Sequence, residues 1–408
     1  MKIVAINDDF PEEGGSSVAC VVRDLRSAWQ QLGHDVTVIT RHDPRENAGT
    51  IERAGVISLP IAAPLPLLRH YHCVFNPRPG QTIARVLEHV RPDAVSVHNV
   101  HASLTYGVLG AARHHTARLS LTMHDVFGIG FGRLNTSRFL SSQGQDARLT
   151  MQDHWQAAGP AYNPLRNAFI RHTIRQTGTA VVAVSQSLQR ALAQNGLKGA
   201  AVIHHGLPVR PEPNPATVEA FRQRLGLTGR RVILFGGRIS RDKGAHCIAA
   251  AMRIVRQQVP NATLLVVGDE RRWRAAGGSS EDTVLAGWLS PEDMRLAYAL
   301  ADIVTTPSLC LDTFNLMNLE GMAASKPVVG TIFGGTPEVV EHGVTGFVCD
   351  PRDLSTYSAH LTTILLDEKL QHRLGEQGRA RAQAQFPLVE KAKQYLSLFN
   401  GSSTVAAS

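Results

Sequence analysis

Residues 305–330 read TTPSLCLDTFNLMNLEGMAASKPVVG, and this stretch decides how the chain is parsed. A short β-branched run, Ile303–Thr306, leads into it, and Val328–Val329 lies near its end. Between them Leu316, Leu319, Met322, Ala323 and Ala324 make an apolar, small-residue helix pattern. Apolar strand, helix, apolar strand is the signature of a parallel sheet covered on both faces. Two acids are set into the unit, eight positions apart. Asp312 falls in the loop or at the helix start, where an isolated acid would be an N-cap. Glu320 lies about two turns further on, on a helix that reads as largely buried. A carboxylate there needs a donor, and sugar or ribose hydroxyls would serve.

The same alternation runs outward in both directions. Ile3–Ile6, Val36–Thr40, Ala94–His98, Leu119–Thr122 and Ala180–Val184 are strand candidates in the first half. Between the first two, Val18, Val21, Val22, Leu25, Ala28 and Leu32 fall at helical spacing, and Gly33 ends the helix. Around 206–216 the pattern gives way to GLPVRPEPNPA, a proline-rich linker. Alternation restarts with Val232–Phe235, Leu264–Val267 and Val284–Leu285, and continues through Ile303–Thr306, Val328–Val329 and Phe347–Val348. The fold class is therefore α/β, with two doubly wound domains, 1–208 and 209–386. Phe386–Phe399 reads as an amphipathic helix after a proline break, and 401–408 as a frayed tail.

Composition narrows the class. A chain of 408 residues, 43% hydrophobic and 19% charged, is globular and long enough for two cores. No apolar run reaches the roughly 18–20 residues that span a bilayer. Met1–Ile6 passes directly into a strand, so no signal peptide is expected. Cys20, Cys73, Cys247, Cys310 and Cys349 are scattered singly, which suits reduced thiols in the cytoplasm. The net charge of +8 is uneven: residues 1–200 carry 20 Lys and Arg against 14 Asp and Glu, and 12 of the 18 histidines. With no basic run, zinc-finger spacing or RNP motif, nucleic acid is not an expected partner. An anionic ligand or membrane surface remains open to the basic half.

Ligands of open parallel sheets sit beyond the carboxyl ends of the strands, so chemistry is sought in the loops there. After the first strand, Gly14 and Gly15 precede a helix whose N-terminus suits an anion, with Ser16 or Ser17 as its cap. This is not GxGxxG, and Thr40-Arg41 stand where a ribose-binding acid would be, which counts against a nicotinamide enzyme. In the second half LFGGRISRDKG ends a strand and opens a helix. Gly237, Arg238 and Lys243 there suit a diphosphate, Arg with its planar fork and Lys as a point charge. The Walker spacing is absent. His124-Asp125 ends a strand in the first half, and VHNVH, Val97–His101, repeats the arrangement one strand earlier. Neither has metal-ligand spacing, and the chain contains no Asp-x-Asp triplet.

In this order, with GHDVTVIT, VSQSLQRALAQNG, GR…KG, ADIVTTPS and GGTPEVVEHGVTGFVCD, the chain resembles the family-4 glycosyltransferases over nearly its whole length. The resemblance implies a GT-B fold of two Rossmann-like domains facing across a cleft, with residues 387–400 crossing back to complete the first. It also implies retaining, metal-independent transfer from a UDP- or GDP-linked sugar to a hydroxyl acceptor, with no cofactor. Arg238 and Lys243 would hold the diphosphate, Glu320 the ribose, and Asp312 and His124 the donor sugar. The amides of Phe314, Asn315 and Leu316 would meet the diphosphate or sugar. Gly15 and Gly237 would lie by the phosphates, and Gly268 and Leu289 by the base. The enzyme would be cytoplasmic, with room for a peripheral position at the inner membrane face. Asp312 stands where the family usually has Glu, Asn315 where it has Gly, and His205 where it has Asn. A nucleotide-sugar 2-epimerase and a non-catalytic sugar-nucleotide-binding protein are the alternatives.

Overall fold

The computed structural model describes residues 1–10, 15–279 and 283–401; Gly14 and most of the expected tail lie outside them. The described chain forms two compact units. The first comprises Met1–Leu134, Ala147–Pro208 and the chain from Leu388, and the second Asn135–Asp146 with Val209–Pro387.

The first unit is built on eight strands: β1 (Lys2–Ile6), β2 (Asp35–His42), β3 (Ile51–Arg53), β4 (Val56–Pro60), β5 (Ala94–Val97), β6 (Leu119–Met123), β7 (Ala180–Ala183) and β8 (Ala201–Val202). Their order is β3-β4-β2-β1-β5-β6-β7-β8, parallel except for the β3–β4 pair. The second unit has six: β9 (Arg231–Gly236), β10 (Ala262–Val267), β11 (Thr283–Gly287), β12 (Ile303–Thr306), β13 (Val328–Thr331) and β14 (Gly346–Cys349). They lie in the order β11-β10-β9-β12-β13-β14, all parallel. In both sheets the order reverses beside the first strand, at β1/β5 and at β9/β12. Loops that leave those strands in opposite directions open a crevice, which is where open α/β sheets bind ligands.

Central strands are buried on both faces, as parallel pairing requires: β5, β6, β10, β12 and β13 have no exposed residue. The helix Ser17–Gln31 starts where expected, with Ser16 Oγ accepting the Ala19 amide at 3.1 Å. Its buried face also includes Ala19 and Trp29, which the apolar spacing did not single out. Trp29 docks the C-terminal helix. Its indole N–H donates to the Ala392 carbonyl at 3.2 Å, and its ring meets Tyr395 edge-on at 5.9 Å. Tyr395 in turn shares a hydrogen bond with Thr122 of β6. That helix begins at Leu388 rather than Phe386, whose buried ring packs on Phe314 of the second unit.

One segment of the first half packs within the second unit. Asn135–Asp146 carries Phe139, which is fully buried against Phe333 with ring centroids 5.8 Å apart. No sequence pattern marks it, because one aromatic residue is too little for a period to reveal. All five cysteines are free thiols.

Trp29→Ala removes a fully buried aromatic and the anchor of the C-terminal helix. It should destabilise the first unit by about 3–5 kcal/mol, read as a lowered urea midpoint with the circular-dichroism spectrum of the folded baseline retained.

Candidate functional site

In the second unit two loops meet at the β9/β12 reversal. The loop after β9 passes Gly237 and Arg238, makes a short turn at Arg241–Lys243, and ends on Gly244. Gly244 has φ +75°, and a Cβ there would lie 1.8 Å from the Pro307 carbonyl oxygen of the loop after β12. A side chain would push the two loops apart. The approach is reinforced by the Leu309 amide, which donates to the Asp242 carbonyl at 2.7 Å, while Asn135 donates to the Asp242 carboxylate at 2.8 Å.

That contact brings Lys243 to Asp312. The ammonium Nζ lies 2.7 Å from Asp312 Oδ2, and Ser308 Oγ and Asn315 Nδ2 donate to the same oxygen at 2.7 and 2.9 Å. Asp312 is 7% exposed. Burial pushes its pKa up, but the Lys243 charge and the three hydrogen bonds outweigh this and hold it below the ordinary carboxylate value. It is therefore ionised. Its backbone is fixed as well: the carbonyl accepts the Gly335 amide at 2.8 Å and lies against Gly334, whose φ is +89°. The N-cap of the following helix, Leu316–Ala323, is Asn315 and not Asp312; Asn315 Oδ1 accepts the Met317 amide at 3.1 Å. One Asn side chain thus caps the helix and steadies the acid.

Glu320 sits within that helix, half-buried, and its donor comes from the chain. Tyr298, on the helix Pro291–Leu300, gives its hydroxyl to Glu320 Oε2 at 2.5 Å. Burial and then the Glu320 charge drive the tyrosine pKa far above 10, so it keeps its proton. Sequence reading missed Tyr298; the one signal was a hydroxyl-bearing ring in the otherwise apolar AYALA run. The helix is pinned by a buried chain in which Thr306 donates to Asn318 at 2.6 Å and Asn318 to Thr336 at 3.1 Å.

The remaining second-unit candidates surround these loops. Gly237 donates to the Val267 carbonyl, and a Cβ on Gly268 would lie 2.7 Å from the Gly237 oxygen, so the two glycine turns are packed together. Gly268 also donates to the Gly287 carbonyl, two residues before half-buried Leu289. Arg238 is exposed, Phe314 is buried, and Leu316 opens the helix.

In the first unit Gly15, φ +95°, precedes the Ser16 cap, and the Asp9 carboxylate accepts the Ser16 amide at 3.1 Å and its hydroxyl at 3.0 Å. His124 follows β6 and is buried in a row of imidazoles. Its Nε2 is 3.0 Å from His98 Nδ1, and its ring stacks on His205 at 5.2 Å. Asp125 beside it is more open, accepting the Phe127 amide at 2.8 Å and facing His101 Nε2 at 3.5 Å. Burial drives the pKa of His98 to about 3, and that of His205, with help from His98 and His204, to about 3. Burial likewise carries His124 well below 6.5, reinforced by His205, His98 and His101.

The row is neutral when folded, so its contribution to stability is present above the unfolded value of 6.5 and is lost as pH falls from there toward 3. Each such imidazole adds a slope of up to about 1.4 kcal/mol per pH unit. The thermal midpoint should fall steeply between pH 6.5 and 4, and His205→Asn, which removes one titrating ring, should flatten that decline.

Residues 18–210 match the family described as Glycosyltransferase Family 4, and residues 217–381 match Glycosyl transferases group 1. The spore coat protein SA of Bacillus subtilis is 26% identical over 44% of this chain and 52% of its own. A GDP-mannose-dependent alpha-(1-6)-phosphatidylinositol monomannoside mannosyltransferase of Mycobacterium tuberculosis is 25% identical over 66% of this chain and 74% of its own. The chain spans about half the length of the first curated relatives it matches. Among solved structures, sucrose-phosphate synthase from Thermosynechococcus elongatus superposes with a TM-score of 0.71 at 19% identity, covering 99% of this chain and 100% of that one. Anabaena HepE, in complex with UDP and glucose, gives 0.68 at 19% identity, covering 98% and 100%. With two parallel α/β sheets behind two matched halves, the chain belongs to glycosyltransferase family 4 and has the GT-B fold.

Proposed function

We propose that the protein is a retaining glycosyltransferase that moves a sugar from a UDP- or GDP-linked donor to a hydroxyl of a glycan, lipid-linked glycan or small molecule, without a metal. The observation that carries this is that one short helix beside the sheet's reversal point holds the Lys243–Asp312–Asn315 cluster at its start and the Tyr298–Glu320 pair further along it. Relatives whose names specify GDP-mannose, and a GT-B neighbour solved with UDP and glucose, support a nucleoside-diphosphate donor.

In this reading Glu320, oriented by Tyr298, accepts hydrogen bonds from the ribose hydroxyls. Arg238 and Lys243 face the diphosphate, and the turns at Gly237, Gly268 and Leu289 border the nucleoside. Asp312 accepts from donor-sugar hydroxyls, and the family resemblance assigns neutral His124 to the sugar and Gly15 to the phosphates. The bond from the anomeric carbon to the phosphate oxygen breaks with that electron pair leaving on the diphosphate, while the sugar gains positive character. Fixed cations and helix-start amides stabilise the departing anion. The acceptor oxygen bonds to the anomeric carbon on the face the diphosphate leaves, and its proton passes to a phosphate oxygen. The enzyme works in the cytoplasm, with peripheral contact at the inner membrane face supported by the cation excess of residues 1–200.

The reaction is tested by incubating the protein with UDP- and GDP-sugars and a panel of hydroxyl acceptors in the presence of EDTA. Acceptor-dependent release of the nucleoside diphosphate and a product of unchanged anomeric configuration are expected. Release of a 2-epimerised donor without acceptor, or an inverted product, would refute the reading.

The Lys243–Asp312 pair sharpens the choice of variants. Lys243→Ala strands a buried carboxylate, so lost affinity would be mixed with lost stability. Asp312→Asn instead releases Lys243 from its internal counter-charge. Affinity for the free nucleoside diphosphate should rise about threefold to tenfold while transfer falls, because each opposed charge is worth about 1 kcal/mol or more here; calorimetry and turnover on the same preparation separate the two. Glu320→Gln keeps an oxygen for Tyr298 but removes the charge, and should weaken nucleoside-diphosphate binding about tenfold or more. Unchanged affinity would remove Glu320 from the ribose.

A further inference from the structure

Eleven large hydrophobic side chains are exposed among the described residues, and eight of them belong to one region of the first unit. They come from two stretches. One is the turn Pro66–Leu68 with the helix Arg69–Phe75. The other is the helix Met151–Ala158 with its following turn, up to Leu165 at the start of the helix Arg166–Gln176. Leu65 is 68% exposed, Leu67 65%, Trp155 58% and Phe75 50%. The stretches form one surface. Tyr71 donates its hydroxyl to the Tyr162 carbonyl at 3.2 Å, Trp155 meets the Tyr162 ring edge-on at 5.9 Å, and Phe75 packs on Phe169 at 5.4 Å. A single exposed Leu is ordinary, but a contiguous set of this size marks an interaction surface.

Charge decides what the surface meets. No Asp or Glu occurs from Arg53 to Leu87, nor from His154 to Arg210, and these two spans supply nearly the whole face. Arg69, His72 and Arg78 flank the exposed leucines on the first span, and Arg171 and Arg175 lie on the helix that follows the second and packs on the first through Phe169 and Phe75. Asp153, the acid at the edge of the face, is turned to its own helix start, where its Oδ2 accepts the Thr150 amide and hydroxyl, each at 2.7 Å. A second copy of the chain paired symmetrically through this face would set cation against cation with no acid to offset them. An anionic lipid surface answers both features. Leucines and phenylalanines enter the boundary between headgroups and acyl chains, Trp155 and Tyr71 suit the interface with an apolar ring and a polar tip, and arginines meet phosphates. Among the described residues no helix is long and apolar enough to cross a membrane, so the contact is one of lying on the surface.

We propose that this face, Leu65–Phe75 with Met151–Leu165, docks the first unit on a bilayer bearing anionic headgroups. The proposal rests on the peripheral contact put forward above and gives it residues. A sugar acceptor anchored in that bilayer would then be presented to the first unit at the headgroup level.

The test is flotation of the full chain with vesicles of phosphatidylcholine alone and of phosphatidylcholine mixed with phosphatidylglycerol. Binding to the mixed vesicles, at least about tenfold stronger than to the neutral ones and weakened by salt, is expected. Leu67→Glu and Trp155→Ser should each reduce it about tenfold while leaving the thermal midpoint unchanged, since both side chains are exposed. Absence of binding to either vesicle, or equal binding by parent and variants, overturns the proposal. A dimer in sedimentation that Leu67→Glu dissociates also overturns it, because the face would then belong to a second copy. Nucleoside-diphosphate release from the same preparations without vesicles reports separately on the transferase reading.

Discussion

A buried carboxylate needs compensation, and Asp312 obtains it from the loop of another strand. Its ion pair with Lys243 is the interaction on which the second unit's site depends. An isolated carboxylate with 7% exposure would take up a proton or unfold its surroundings. Here one ammonium, one hydroxyl and one amide converge on a single oxygen, so the charge is retained. The pairing is possible because Gly244 lets the β9 loop lie on Pro307 of the β12 loop. Two neighbouring strands whose chains depart in opposite directions supply that geometry, and the sheet order supplies the strands. Topology, glycine and ion pair are successive requirements of one arrangement.

The pair also changes how the site's electrostatics are counted. A lysine read from sequence beside an arginine suggests two cations awaiting a diphosphate. In the folded unit the Lys243 charge is already opposed by Asp312 at 2.7 Å, so its net attraction for an anion is smaller than that of a bare ammonium. Asn315 has a double part in this. By capping the helix it occupies the Met317 amide, and by donating to Asp312 it holds the shorter acid in place. Asp for Glu and Asn for Gly, two departures from the family pattern, are thus one coupled feature: the amide of Asn315 reaches the shortened carboxylate and completes its set of donors.

Eleven of the fourteen strands and the reversal-point loops were legible in the sequence because parallel strands are continuous apolar runs, and because Gly, Pro and charged residues cluster where chains turn; β3, β4 and β8, short or only partly buried strands toward the ends of the first sheet, were not read. What was not legible depended on partners distant in the chain. Tyr298 is 22 positions from Glu320, and nothing local distinguishes it from a core ring. Asn135–Asp146 joins the second unit through Phe139 on Phe333, a contact with no periodicity to announce it. The C-terminal helix was recognised from its pattern, yet its start moved from Phe386 to Leu388, since Phe386 is buried against Phe314 before the chain turns to the first unit.

The first unit poses the opposite problem to Asp312. His98, His124 and His205 are buried, and burial keeps them neutral; imidazole contacts and stacking link the row. Neutral imidazoles can donate or accept hydrogen bonds, but in this state they do not stabilise an anion as a cation would. In the proposed reaction a neutral His124 would orient a sugar hydroxyl by donating or accepting a hydrogen bond, and would not act on a leaving diphosphate by charge. Replacing the family's usual Asn by His205 extends the row by one ring and removes an amide. The first unit also buries charge, with Arg166 donating to the Gly130 and Phe127 carbonyls and Asp8 accepting the Ala102, Ser103 and Leu104 amides, but it keeps that charge apart from the imidazole row.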